Sequence, residues 1–257
     1  MPMPTVSRLS TTPVKGSALH HPEEIRLERY GVPGNREFFL VDSTGRLFGC
    51  TRHGPLVQVR SEYQADPERL ALHFPDGSVV EDTVALGDER LRVDFWGRPV
   101  DAQLVVGPFA QAYTDYIGKP VRLVRTSDRG GAFDVRVVTL LSEASVEELG
   151  RQAGTNGDVD GRRFRMLLTL EGCEPHEEDT WEGRRFRVGS AVIRVGGPVP
   201  RCVVTTRDPD LGFRDFDSLR EIKAYRGLRD GKEIDFGVYA DVEEPGVVRV
   251  GDTLEDA

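Results

Sequence analysis

The stretch GGPVPRCVVTTRDPD, residues 196–210, sets a cysteine behind two prolines and an arginine and ahead of a β-branched run. Cys202 has three readings at this point: a buried small hydrophobe, a nucleophile, or a metal ligand. Two features favour a functional thiol. Arg201 is adjacent, and a nearby cation favours thiolate over thiol. The polar tail TTRDPD is unusual for a core strand and reads as a rim. A thiolate at a strand's mouth can coordinate a soft or high-valent metal.

The surrounding chain bounds these options. Its 257 residues fit one large domain or two smaller ones, and 38 % hydrophobic content beside 30 % charged residues is that of a globular protein. The net charge of −9 argues against nucleic acid as the main partner. Three cysteines make no disulfide framework. No apolar run approaches the ~20 residues needed to span a membrane, and the first residues lack the apolar core of a secretory signal. These features predict a cytoplasmic protein that makes no membrane contact.

The first hundred residues read as β-structure. REFFLVD (36–42), LVQVRSEY (56–63), LALHF (70–74) and LRVDFWG (91–97) are separated by turn signals such as GVPGN and PDGS, a spacing that suggests a barrel or sandwich. Helical periodicity appears in PFAQAYTDYIG (108–118), closed by Gly118 and Pro120. SVEELGRQ offers a second helix starting at Ser145, with Glu148 at capping-box spacing. FDSLREIKAYRG (216–227) offers a third. The remaining segments return to β, including RCVVTTR (201–207) and a closing pair, FGVYADVEEPGVVRVGD (236–252), turning at Pro245-Gly246.

Other chemistries find little support. The five histidines form no HExxH or HxH pair, and CEPH (173–176) is half a zinc site without a second half. Three cysteines are too few for an ordinary internal iron–sulfur cluster. There is no GxSxG, no GxGxxG and no P-loop. The turns PVKGS and PGNR can hold a phosphate on backbone amides, with Lys15 or Arg36 supplying charge.

Six motifs in order carry a family resemblance: TPVKG (12–16), GVPGNREFFLVDSTGRLFGCTR (31–52), LLSEASVEEL (140–149), RRFRMLLTLEGCEPHEEDTWEG (162–183), PRCVVTTRDPDLG (200–212) and the closing FGVYADVEEPGVVRVGD. Together they resemble the MOSC family with a MOSC N-terminal β-barrel domain. These proteins are relatives of the mitochondrial amidoxime-reducing components and of bacterial proteins that detoxify N-hydroxylated bases. The resemblance implies a mainly β fold with some α: two β-barrel-like domains, residues 1–120 and 121–257, the second carrying a few helices. It also implies the molybdenum cofactor (Mo-molybdopterin), with Cys202 as the protein's thiolate ligand to molybdenum and the catalytic residue. Cofactor-binding roles fall by position on Lys15, Gly16, Arg36, Thr51, Arg52, Ser142, Arg165, Pro200 and Arg201.

Five positions depart from the family pattern. Gly16 stands where serine is frequent, Asn35 where aspartate is usual, and Pro200 where some relatives have serine. Met166 and Leu167 replace a usual Pro-Asn, which removes a polar contact near the cofactor.

The implied activity is reduction of amidoximes, hydroxylamines or N-hydroxylated bases by oxygen-atom transfer. Electrons would come from a separate donor, a flavin reductase with a haem or iron–sulfur carrier. The alternative is a sulfur-carrier or cofactor-handling protein without redox turnover. MOSC domains also close molybdenum cofactor sulfurases, whose pyridoxal-phosphate domain has no counterpart here.

Overall fold

The computed structural model describes residues 3–127, 131–155 and 158–257. Two sheet systems share the chain. The larger is a seven-stranded sheet with the spatial order Thr5–Leu9, Leu168–Glu171, Val138–Ser142, Asp235–Glu244, Ala191–Pro200, Arg185–Val188, Leu254–Asp256. Its first and last strands meet. Val6 N–H donates to the Asp252 carbonyl at 2.9 Å, Leu254 N–H to that of Pro4 at 2.7 Å, and Thr5 bridges Thr253. Closing the sheet satisfies the edge groups that an open one leaves bare. Alternate residues fill the interior: Val6, Leu9, Leu140, Leu168, Ile193, Val238 and Ala240 form one buried cluster with Trp181.

The smaller system has a five-stranded sheet, ordered Leu47–Phe48, Phe38–Asp42, Val121–Thr126, Arg98–Val106, Ala85–Phe95, and a three-stranded sheet of Arg60–Ala65, Glu68–His73 and Val79–Thr83. Helix α1, Phe109–Ile117, buries Phe109, Tyr113 and Ile117 against Phe38, Leu70 and Leu123. It stops at Gly118, left-handed at φ 72°, where a helix C-terminus favours glycine.

The mainly β, two-barrel expectation therefore matches this architecture. The division at 120/121 stands as a proposal about sequence units, because hydrogen bonding crosses it both ways. Val121–Thr126 pairs with Phe38–Asp42 in the first sheet. Thr5–Leu9 pairs with Leu168–Glu171 in the closed barrel.

Three local expectations are corrected. The segment after Pro245 makes no hairpin: Gly246–Arg249 turns away and pairs with Glu24–Leu27. Helix α2 runs Glu143–Gln152 and starts before Ser145, because Ser142 Oγ accepts the Ser145 N–H at 3.1 Å as its N-cap. RCVVTTR is not a strand. Its Val203–Thr206 core is a 3₁₀ turn, since Thr205 and Thr206 hydroxyls donate back to the Cys202 and Val203 carbonyls at 3.1 and 2.8 Å. Helix α3, Ser218–Arg226, is capped by Asp217, whose side chain accepts the Arg220 N–H.

Candidate functional site

One cleft lies where the barrel mouth meets the N-terminal sheets. It is lined by Lys15, Gly16, Arg36, Cys50 and Thr51 from the first part of the chain and by Arg163–Met166, Val199–Cys202 and Tyr239 from the barrel. Arg207, from the polar tail behind Cys202, ties the two sides by donating to the Thr51 and Gly212 carbonyls at 3.0 and 2.9 Å.

Cys202 sits between a strand ending at Pro200 and the 3₁₀ turn, with its side chain exposed to the cleft. The surrounding walls displace bulk water and push its thiol pKa up. Asp134 and Cys50 add to this, the Val204 N–H opposes it, and Arg201 opposes it least. In the free chain the thiol is thus neutral at ordinary pH, and a bound metal would have to ionise it.

The expectation that Arg201 holds a thiolate is corrected by where its guanidinium goes. Nε donates to the Phe236 carbonyl at 2.7 Å, Nη1 to that of Phe164 at 3.2 Å, and the carbon lies 5.3 Å from the Phe164 ring centroid. Burial pulls its pKa down to about 10. Arg201 braces the cleft wall.

Arg36 and Arg165 face each other across the two halves. Both are left-handed, at φ 55° and 54°, a conformation that costs a non-glycine residue about 1–2 kcal/mol. Arg36 Nη2 donates to the Arg165 carbonyl at 3.0 Å, and Arg165 Nη2 to the Ser17 carbonyl at 2.5 Å. Lys15 Nζ donates to the Ala132 carbonyl and to Asp134 Oδ1, both at 2.9 Å. Burial lowers the Lys15 pKa, with Asp134 opposing.

Gly16 has φ 93°, and a Cβ there would stand 3.3 Å from the Cys50 nitrogen. Its glycine is therefore a backbone requirement, and a serine would be strained. Met166 forms cleft wall, its sulfur accepting from Arg201 Nη2 at 2.9 Å. Leu167 points into the barrel core, while its N–H donates to Thr139 Oγ1 at 2.8 Å. The Leu167 side chain thus leaves the cleft lining unchanged.

Two residues expected to bind cofactor lie elsewhere. Arg52 turns outward and pairs with Asp42 at 2.7 Å, because its N–H closes a tight turn on the Gly49 carbonyl. Ser142 is fully buried and is spent on the α2 cap and on Ser145 Oγ at 2.7 Å. Conversely, Asp134, Cys50, Tyr239 and Trp96 line the cleft although the family resemblance assigns them no cofactor role. Tyr239 sits in the FGVYAD run, and burial pushes its hydroxyl up to about 12. Asp134 ends a loop-like segment and remains ionised: burial pushes its pKa up, and Lys15 and Arg36 together pull it further down.

The donor set fits a polyanionic group that carries a soft metal. Six cations line the cleft against one carboxylate, in a chain of net charge −9. Among the described residues, no carboxylate lies within ion-pair distance of Arg36, Arg165 or Arg201. By contrast, Lys15, Arg136 and Arg163 pair with Asp134, Asp241 and Asp215. A phosphate would exchange the carbonyls held by Arg36 and Arg165 for stronger charge-assisted bonds. Those side chains take up part of the cleft, whose free space of about 190 Å³ falls below the ~300 Å³ at which ordinary ligand sites begin.

Residues 3–120 match the MOSC N-terminal beta barrel domain and residues 128–255 the MOSC domain. The chain is similar to mitochondrial amidoxime-reducing component 1 of Mus musculus, 35 % identical over 138 residues, 51 % of this chain and 39 % of that protein. It is likewise 34 % identical over 123 residues to mitochondrial amidoxime reducing component 2 of Homo sapiens, 45 % of this chain and 35 % of that one. These matches span about two fifths of the relatives' length. Among solved structures, the YUAD protein from Bacillus subtilis is 13 % identical with a TM-score of 0.48, over 98 % of this chain and 94 % of that one. Among the described residues, no helix is long and apolar enough to cross a membrane.

Proposed function

The chain is a MOSC-domain protein with a MOSC N-terminal β-barrel domain ahead of it, and from that premise we propose that it is an oxidoreductase that binds the molybdenum cofactor and reduces small N-hydroxylated compounds. The observation that carries this reading is the cleft's pairing of one accessible thiol with Arg36, Arg165 and Arg201, which among the described residues have no carboxylate within ion-pair distance. The names of the relatives, amidoxime-reducing components, supply the substrate class.

When bound, the cofactor supplies two-electron redox chemistry at molybdenum, and the protein supplies binding and electrostatics. Cys202, once deprotonated, would supply the protein's sulfur ligand. Arg36 and Arg165 would hold its phosphate, and Lys15 with the Gly16 turn forms the N-terminal wall. Arg201 keeps the Cys202 backbone fixed. The net reaction takes an N-hydroxyl compound, two electrons and two protons to the reduced nitrogen compound and water. The electrons come from a separate donor, a flavin reductase with a haem or iron–sulfur carrier. We place the protein in the cytoplasm, where its three free cysteines remain reduced.

The test compares wild type with Cys202→Ser, both purified from a cofactor-competent host. Molybdenum content and benzamidoxime reduction should fall together, with thermal stability unchanged. Full turnover in the variant would overturn the assignment. A neutral, accessible thiol is also what a persulfide carrier presents, so cyanide-releasable sulfur on Cys202 without oxime reduction would put the sulfur-carrier reading in its place.

A further inference from the structure

Trp96 is the most exposed large hydrophobic residue described, 61 % accessible, and it lies on the lip of the same cleft as Cys202. Val135, 60 % accessible, lies on that lip too. The chain has two tryptophans, and the other, Trp181, is 1 % exposed in the barrel core. Leaving an indole in water forgoes one of the largest burial gains a side chain can make.

The backbone adds to this cost. Trp96 and Gly97 form the two-residue turn between Ala85–Phe95 and Arg98–Val106, with φ of 54° and 90°. Such turns favour Asn-Gly or Asp-Gly, because both central residues are left-handed. A bulky residue at the first position is an outlier. A fold that needed only the turn would place asparagine there.

The lip is also held still. Gly97 N–H donates to Asp94 Oδ1 at 2.9 Å. On the next residue, Arg98 Nη2 donates to the Gly131 carbonyl at 2.8 Å and to that of Phe133, fastening the hairpin tip to the loop that carries Asp134 and Val135. Lys15 Nζ stands 5.5 Å from the Phe95 ring centroid and also holds that loop through Asp134. An exposed indole, an exposed valine and an ionised carboxylate are thereby fixed together at the mouth.

We infer that Trp96, with Val135 and Asp134, is the substrate-selecting lip of the cleft, taking the flat conjugated substituent of an aryl amidoxime-type substrate against the indole and its amidine N–H groups towards Asp134. This rests on the reductase reading above and names the substrate class within it.

Two measurements test it on the cofactor-loaded protein. First, kcat/KM for benzamidoxime and acetamidoxime is compared between wild type and Trp96→Leu at equal molybdenum content. The aryl substrate should lose about tenfold, the scale of one aromatic contact, and the aliphatic one no more than about twofold. Equal losses for both would overturn the inference. Second, benzamidine and acetamidine are titrated against wild-type tryptophan fluorescence. Trp96 should report saturable quenching by the aryl amidine at roughly tenfold lower concentration than by the aliphatic one. Ring-selective quenching without turnover of either oxime would remove the reductase reading and leave the lip standing. Quenching without ring preference removes the lip whatever the turnover.

Discussion

Replacing Arg201 by methionine separates two roles that the neighbouring Cys202 invites one to merge. Methionine keeps the length and apolar contact of the side chain and removes its donors. The Phe236 carbonyl then loses Nε at 2.7 Å and Nη2, and the Phe164 carbonyl loses Nη1 at 3.2 Å. A hydrogen bond from a charged donor is worth about 1.5–3 kcal/mol, and the guanidinium over the Phe164 ring, centroid distance 5.3 Å, adds about 0.5–1 kcal/mol. With partial compensation by water, the net loss is about 3–4 kcal/mol, or roughly 10 °C in Tm for a chain of this size. The effect on the thiol should be small, because Arg201 is the weakest of the influences on Cys202. Differential scanning calorimetry measures the first quantity. The pH profile of iodoacetamide labelling at Cys202, mapped by mass spectrometry, measures the second. Unchanged stability together with a labelling midpoint raised by about one pH unit, equivalent to ~1.4 kcal/mol, would refute this reasoning and restore Arg201 as the thiolate's counter-ion.

Two further outcomes follow from the titrating groups. In cofactor-free wild type, Cys202 should label selectively and with a midpoint above that of an unstructured cysteine peptide, because its thiol is exposed while desolvation raises its pKa. A midpoint below the peptide's would mean a preformed thiolate. His176 accepts from Arg226 at Nδ1 and meets the Tyr225 hydroxyl at 3.2 Å through Nε2, an arrangement that suits the neutral ring; burial, with Arg226, pushes its pKa down to about 4. The unfolded chain therefore takes up a proton first as pH falls. The stability that His176 contributes is complete above its ordinary 6.5 and is lost on the way down to about 4. His176→Asn suits the left-handed backbone at φ 62°. Its stability deficit relative to wild type, measured by denaturant unfolding, should shrink across that window, and a constant deficit would show that the imidazole does not titrate.

Much of this protein was legible locally. The periodicity of PFAQAYTDYIG predicts α1, and FDSLREIKAYRG predicts α3, because both helices carry their apolar stripe and their stop signals within a dozen residues. Short alternating runs predict strands for the same reason, and the cysteine motif with its five companions identifies the family. Where one signal served two purposes, the local reading went astray. Ser142 in LLSEAS belongs to a helix cap, and TTR looks β-branched while its hydroxyls build a 3₁₀ turn on the carbonyls three residues back.

Tertiary structure alone decided which of these residues meet. Gly246–Arg249 could pair with its chain neighbour or with Glu24–Leu27, and only the packed barrel selects the second. Thr51 and Arg52 are adjacent, yet one lines the cleft and the other points to Asp42, because a tight turn separates their directions. Arg36 and Arg165 lie 129 positions apart and come into contact where the barrel mouth meets the N-terminal sheet. Arg201 stands beside Cys202 in sequence and turns its charge to two carbonyls instead. Sequence determines the period and chemistry of each segment, since those depend on neighbours a few residues away. The facing of a side chain depends on long-range contacts between segments, and a cleft is made entirely of such facings.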